Sequence, residues 1–350
     1  MNDSKEPPNF DPIMPRLLVH GSTNPVYRYG AQACYCLIHH RTMQWITALI
    51  PALLLPILSI GQRIETTYLN ANDSTKSMYV AVVPEQEEAS ALLVLLGGYG
   101  NTPQDVLDQT GIPMHAAQQG ILTVIPLLAT GATAFGSDAA SQRSLKEMIE
   151  LVVAKYHMKD KDLYVGGFSI GGTCAVRYAE LAVQEHHAVK PTAVFAINPP
   201  LDWERYYNAA KRVLRLSPPD QVNAEVPYML ERIEQEMDGT PTTALANYRT
   251  RSPYSFSDTA QTAIKNLIGT PIMIVSEPAI DWWLEERGYD CSYNNITDQS
   301  AMINELRKLG NTRAVLVTTT DKGYRPDGMR HPSSWSIADP QTVITWLRSQ

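Results

Sequence analysis

The chain has 350 residues, of which 44% are apolar and 19% charged, enough to bury a sizeable core as one large or two modest domains and to exclude disorder, collagen and a disulfide-stapled miniature. Its 29 Lys and Arg against 36 Asp and Glu give a net charge of -7, and no basic run stands out, which argues against nucleic acid as a partner. The four cysteines, Cys34, Cys36, Cys174 and Cys291, lack the paired spacing with histidines that holds zinc, and Cys34 and Cys36 are too close in the chain to bridge comfortably. Neither a metal site nor a cofactor motif follows from the sequence.

Residues 45–60 (WITALIPALLLPILSI) carry no charge, and polar sequence follows at once. The stretch reads as an export signal, because Ser59 and Gly61 place small residues three and one before a cleavage point at Gln62. It is short for a membrane span, and Pro51 and Pro56 weaken a spanning helix. An uncleaved anchor and a packed helix are the alternatives. Residues 1–43 are longer and more charge-balanced than the front of an export signal, and Met43 offers a second start just before the apolar run. The expected organisation is therefore an extension over 1–43 outside the working protein, a signal peptide or membrane anchor over 44–61, and a globular domain over 62–350. Such a protein is periplasmic or secreted and touches a membrane only through its N-terminal apolar segment. In that domain Cys174 and Cys291 remain, read as two independent thiols rather than one bridge, since Cys174 falls inside a core helix.

Along the domain, β-rich runs at 64–69, 77–83, 91–96, 122–126, 162–165, 193–198, 271–275 and 313–319 alternate with helical patterns, most regularly from Leu122 onward. That rhythm predicts a mostly parallel sheet with helices on both faces. The inner runs ALLVLL, ILTVIPL, TAVFAI and PIMIV are continuously apolar, as strands covered on both faces should be. The first two strands read as an antiparallel edge hairpin turning over residues 70–74. About 70 residues separate the strand ending at Asn198 from the one starting at Pro271, too many for a simple crossover. Helical patterns over 202–216 and 222–237 make this interval, about 199–268, a helical insertion over one end of the sheet.

Gly167-Phe168-Ser169-Ile170-Gly171 is a G-x-S-x-G between a short apolar strand and a long helix over 170–187. In that setting a tight turn forces the serine into a strained backbone and projects its hydroxyl clear of the sheet. A serine hydroxyl needs a base, an orienting acid and donors for the developing oxyanion. The turn Gly97-Gly98-Tyr99-Gly100 after the third strand offers backbone N–H groups, and Gly98 or Tyr99 together with Ile170 are the candidate donors. Of eight histidines only His331 lies beyond the last strand, and Pro332 biases it toward an extended backbone. Acid candidates after the seventh strand are Asp281, Glu277 and Asp290. Asp281 is preferred for its distance along the loop, although it also reads as a helix N-cap. Trp203, Tyr206, Tyr207 and Trp282, with Trp283, supply rings for an acyl group or a sugar face, or else pack the insertion.

VGGFSIGG after a strand, GGYG after an earlier one, a late acidic loop and a last-loop histidine resemble the α/β-hydrolase superfamily over residues 64–349. The resemblance implies a three-layer fold with an eight-stranded, mostly parallel sheet and a lid between strands six and seven. It also implies a triad in the order Ser169, Asp281, His331 and hydrolysis through an acyl-enzyme. The oxyanion turn lacks the histidine of the HGGG lipases and esterases, and SEPAID lacks the usual glycine. The expected activity is that of a carboxylic ester hydrolase on a small-molecule, carbohydrate or peptide acyl substrate. A peptidase, an acyltransferase or a non-catalytic binding protein of the same fold are the alternatives.

Overall fold

The computed structural model describes residues 62–350 apart from 71, 72, 74, 87 and 219–222. The extension over 1–43 and the apolar segment over 44–61 lie outside the described residues. Eight strands form one sheet: β1 (Arg63–Tyr68), β2 (Met78–Val83), β3 (Ala91–Leu96), β4 (Ile121–Leu127), β5 (Asp162–Phe168), β6 (Ala193–Ile197), β7 (Ile272–Ser276) and β8 (Ala314–Thr318), in the order β1-β2-β4-β3-β5-β6-β7-β8. β2 runs antiparallel to β1 and β4, and the remaining pairs are parallel.

Side-chain alternation explains the continuous apolar runs. In β3, Leu92, Val94 and Leu96 enter one hydrophobic core while Ala91, Leu93 and Leu95 enter the other, so no position on the strand is free to be polar. The first core is closed by α3 (Ala139–Lys155), α4 (Ile170–Gln184) and α9 (Ile296–Lys308) through Leu145, Val176 and Ile303. Across the sheet, α1 (Pro103–Gln109), α2 (Ile112–Gln118) and α10 (Pro340–Arg348) close the second through Val106, Ile112 and Leu347. α1 and α2 are short helices that the strand rhythm did not announce. The signal for α1 was present, because Thr102 and Asp105 make a reciprocal capping box ahead of Pro103 at the first turn.

The interval between β6 and β7 contains α5 (Trp203–Leu216), α6 (Glu225–Glu236) and α7 (Leu245–Arg251). α5 begins where Asp202 accepts from the backbone of Arg205 at 3.0 Å. The buried carboxylate of Asp298 on α9 ties this entry down, accepting from the backbone N–H groups of Leu201 and Asp202 and from the Arg205 guanidinium. Among the described residues no helix is long and apolar enough to cross a membrane.

The topology decides where loops can cooperate. From β3 the chain goes to β4 on one side, and β5 then pairs on the other side of β3. The connections leaving the C-terminal ends of β3 and β5 therefore part in opposite directions and leave a crevice between them. Leu96 is paired with Gly167 across these strands, so the GGYG turn and the Ser169 turn emerge side by side.

Candidate active site

Ser169 occupies the single position between β5 and α4, with φ 51 and ψ -121. A β-carbon is strained there, and such strain persists only where the surroundings impose it. Two glycines do the imposing. A Cβ on Gly167 would lie 2.5 Å from the Gly171 carbonyl, and one on Gly171 would lie 2.2 Å from the Gly97 oxygen. The Ser169 N–H donates to the Ile197 carbonyl at 2.8 Å and its own carbonyl accepts from Thr173 at 3.1 Å, so both backbone groups are satisfied while the hydroxyl is left half-exposed at the start of α4.

Three candidate oxyanion donors behave differently. Ile170 is the first residue of α4 and its N–H has no acceptor within the helix. The Tyr99 N–H likewise has no acceptor among the described residues. The Gly98 N–H, by contrast, donates to the Asn101 side chain at 3.0 Å, while Asn101 returns its own N–H to the Gly98 carbonyl at 3.0 Å. Gly98 therefore shapes the turn with a donor that is already engaged, and the free pair is Tyr99 with Ile170. Asn101, the residue after GGYG, is the missed signal. At Ile170 lies a pocket of about 50 Å³ lined also by Gly97, Gly98, Cys174 and residues of the loop after β4, including Leu128 and Gly131. Cys174 is a free thiol that burial pushes up to about 12, so it lines the pocket as an apolar group; Cys291 is free and exposed.

His331 sits on the loop between β8 and α10. Its Nδ1 lies 2.8 Å from the Ser333 carbonyl and 3.2 Å from the Ser333 nitrogen. The shorter contact favours Nδ1–H donating to the carbonyl, which leaves Nε2 as a lone-pair acceptor. The rings of Trp282 and Trp283 meet the imidazole edge to face, with centroids 5.3 and 5.7 Å away. Burial and the nearby charge of Arg325 hold His331 down to about 4, with the Ser333 contact opposing and Arg287 adding a smaller push downward. Among the described residues His331 makes no hydrogen bond to Ser169 and none to a carboxylate.

Among the described residues none of the acid candidates is hydrogen-bonded to the imidazole. Asp281 is exposed and makes no contact with the imidazole, nor does it cap its helix. The cap of the helical turn α8 (Ile280–Trp282) is Ala279, in the left-handed region at φ 37. Trp282 and Trp283 follow at His331, while Asp281 lines a pocket of about 570 Å³ with Glu277, Trp282, Glu285, Asp321 and Arg330. Asp290 accepts from Ser292 and pairs with Arg212 at 3.0 Å on the surface. Glu277, the first residue past β7 and 2% exposed, is spent on the loop that carries His331. One of its oxygens accepts from the N–H groups of Lys322 and Gly323 at 2.8 and 3.1 Å and from Thr319 at 3.1 Å, and the other pairs with Arg330 at 2.9 Å. The Gly323 carbonyl then accepts from the His331 N–H at 2.9 Å. Glu277 thus positions the backbone of His331 and leaves the ring to Ser333.

The insertion aromatics also land elsewhere than in an open cleft. Trp203, Tyr206 and Tyr207 are buried in the core of the insertion. Trp203 stacks on Phe135 at 4.7 Å, the Tyr206 hydroxyl meets that of Tyr293 at 2.9 Å, and Tyr207 donates to Glu234 at 2.6 Å. Trp282 alone of the four is half-buried at the imidazole.

The backbone is similar to solved serine hydrolases. An esterase of Rhizomucor miehei matches over 83% of this chain and 84% of its own, at 14% identity and a TM-score of 0.54. Fluorophosphonate-binding serine hydrolase F of Staphylococcus aureus matches over 82% of this chain and 98% of its own, at 13% identity and a TM-score of 0.50. The chain has the α/β-hydrolase fold. The acylaminoacyl peptidase of Pyrococcus horikoshii shares that fold at 11% identity and a TM-score of 0.50, over 74% of this chain, which spans only 37% of the peptidase. No family model matches the sequence, and no curated protein matches it. Within the α/β-hydrolase fold, the turn that carries Tyr99 and the turn that carries Ser169 and Ile170 leave the paired strands β3 and β5 side by side.

Proposed function

We propose that the protein is an exported serine hydrolase that cleaves a carboxylic ester of a short acyl group through an acyl-enzyme on Ser169. Neutral His331 takes the Ser169 proton at Nε2 as the oxygen attacks the ester carbonyl. The Tyr99 and Ile170 N–H groups receive the oxyanion, an effect worth about 3 kcal/mol per donor. The imidazolium, held through Nδ1 by the Ser333 carbonyl, protonates the departing alcohol, and water repeats the cycle to free the acid. The proposal requires the His331 loop to bring Nε2 within hydrogen-bond reach of Ser169, as catalytic contacts often tighten only once substrate is bound. Export rests on the apolar segment over 45–60.

The observation that carries this reading is the strained Ser169 at the start of α4 beside two unclaimed N–H groups. Support for a short acyl group comes from the pocket of about 50 Å³ that Ile170 lines. A non-catalytic binding protein of the same fold is the second reading, and the lack of a carboxylate at His331 Nδ1 favours it. Labelling with a fluorophosphonate separates the two. Full-length protein should be labelled and Ser169→Ala should not; labelling that survives in the alanine variant, or fails in the native chain, overturns the proposal. In a series of p-nitrophenyl esters, acetyl should be turned over faster than butyryl, and octanoyl slowest.

A further inference from the structure

Both proposed oxyanion donors set their side chains in the core of the insertion and in neither core of the sheet. Ile170 belongs to the apolar cluster that holds Trp203, Met229 and Ile233, and the Tyr99 ring packs against the same cluster. The two donors differ in what fixes their backbone. Ile170 opens α4 directly behind the glycine-locked Ser169 turn. Tyr99 stands in a turn whose other members, Gly97, Gly98 and Gly100, have no side chain to anchor. Gly100 is at φ 78, with no atom within 4 Å of where its Cβ would stand. Glycines leave such a turn free to adopt many conformations.

Asn101 supplies part of the missing restraint. Its N–H donates to the Gly98 carbonyl at 3.0 Å, and the C=O and N–H of one planar trans peptide point opposite ways, so this bond turns the Tyr99 N–H outward from the turn. The Gly100 N–H donates to the Ala132 carbonyl at 2.8 Å. The remaining hold is the Tyr99 side chain. Its ring meets Phe135 edge to face with centroids 6.0 Å apart, and Tyr228 of α6 with centroids 6.2 Å apart. The Tyr99 and Tyr228 hydroxyls are 2.7 Å apart. One turn further along α6, on the same face, the Arg232 guanidinium stands 5.9 Å over the Phe135 ring. Tyr99 and Tyr228 are 129 residues apart in the chain, so only the placement of α6 over the sheet brings them together. Burial, and then the bond to Tyr228, raise the Tyr99 phenol above its ordinary value of 10. The phenol therefore keeps its proton at neutral pH.

We propose that Tyr228 is a positioning residue of the oxyanion hole, holding Tyr99 from the insertion so that the Tyr99 N–H faces the substrate carbonyl. The inference rests on the serine hydrolase reading, in which that N–H receives the oxyanion. Tyr228 acts through Tyr99 and not on the substrate itself. Its loss should therefore weaken the transition state and leave ground-state binding in place.

The test removes the hydroxyl and keeps the ring. In Tyr228→Phe, kcat on p-nitrophenyl acetate should fall about tenfold with KM within about twofold of native, a part of the hundredfold or more that losing an oxyanion donor costs. Tyr99→Phe breaks the same bond from the other side and should lose the same factor, and the double variant should lose no more than either. Phenyl trifluoromethyl ketone reads the oxyanion directly. The Ser169 oxygen adds to its carbonyl carbon, the serine proton passes to His331, and the carbonyl oxygen becomes the oxyanion. Each variant should bind it about tenfold more weakly than the native chain. All assays run well below the melting temperature of each chain, where a contact that only stabilised the fold would leave kcat and inhibitor binding unchanged. Native values of both in Tyr228→Phe overturn the proposal, and so do losses that multiply in the double variant. Tyr99→Phe decides the same bond should Tyr228→Phe fold poorly. A native chain that neither takes the fluorophosphonate nor turns over the ester ends the hydrolase reading and this proposal with it. An active native chain with unaffected variants ends this proposal alone.

Discussion

The Ser169 turn is set by its own glycines packed against the end of β3 and by one backbone bond to β6, whereas the His331 loop takes its shape from a single carboxylate at the end of β7. At Ser169 the strained backbone, the close approach of Gly167 and Gly171 and the free Ile170 N–H all arise within one short stretch of sequence. His331 depends on Glu277 at the end of β7, which binds the backbone of Lys322 and Gly323 and the side chain of Arg330. A reactive oxygen must be aimed to within a fraction of an ångström, and a turn with no freedom does that locally. A base that has to swing toward it is better carried on a loop, with one buried carboxylate fixing where the loop starts.

The largest effect should come from disturbing the Ser169 side. Gly171→Ala puts a methyl group 2.2 Å from the Gly97 oxygen, and neither backbone can retreat without moving α4 away from β3. Turnover of p-nitrophenyl acetate should fall about a hundredfold or more, as displacement of a reacting atom by an ångström does. The same change should destabilise the chain, read as a lower melting temperature. Native-like activity in this variant would mean that the glycine spacing does not set the aim of Ser169.

On the other side, Glu277→Gln removes the ion pair with Arg330 and places an amide against the Lys322 and Gly323 N–H donors. Because the loop loses its anchor while the ring keeps its Ser333 carbonyl, kcat should fall about tenfold, within the range that loosening a positioning contact produces. The acid limb of the pH profile should stay in place, since the carboxylate does not touch the imidazole. A limb that moved with this substitution would make Glu277 the orienting acid instead of a clamp on the loop.

The asymmetry also explains what could be read from sequence. The inner strands are legible because strands covered on both faces carry unbroken apolar runs, and the elbow is legible because its glycines and serine are neighbours. Loop length alone cannot reveal that Ala279 turns into the left-handed region ahead of Asp281 or that Glu277 engages the next loop. Nothing local marks Ser333 as the partner of Nδ1, or Asn101 as the residue that occupies the Gly98 N–H. Trp203, Tyr206 and Tyr207 fit a binding face and a buried core equally well in sequence, and only the packing of α5 on α6 and Phe135 decides for the core.

A subtler difference between the two sides is electrostatic. With burial and Arg325 holding His331 to about 4 instead of the ordinary 6.5, the base is neutral, and so able to accept a proton, at every pH above that value. Activity on a neutral ester should stay level from pH 7 to about 5 and fall as the pH drops through about 4, where the imidazole becomes charged. A limb near 6.5 would show that the ring is solvated or paired with a carboxylate in the working enzyme, and would return the base side to the ordinary triad pattern.

The smallest effect tests whether the serine side is as free of remote compromise as its turn suggests. Glu180, on the helix that Ser169 starts, is fully buried; it pairs with Arg177 at 2.9 Å through one oxygen, while the other has no partner. Desolvation raises its carboxyl from 4.5 to about 8, against a smaller pull downward from Arg177. The folded chain therefore holds a proton there that the unfolded chain releases above 4.5, so stability is full below that pH, declines as the pH rises toward about 8 and is level beyond it. Glu180→Gln keeps the shape without the charge. Its melting temperature should match the native chain near pH 4.5 and exceed it by about 2–6 °C near pH 8.5, a gain corresponding to one to a few kcal/mol in a domain of this size. A variant less stable at every pH would mean that the ion pair with Arg177 outweighs the desolvation of its carboxylate, and that the helix behind the nucleophile leans on a charge pair after all.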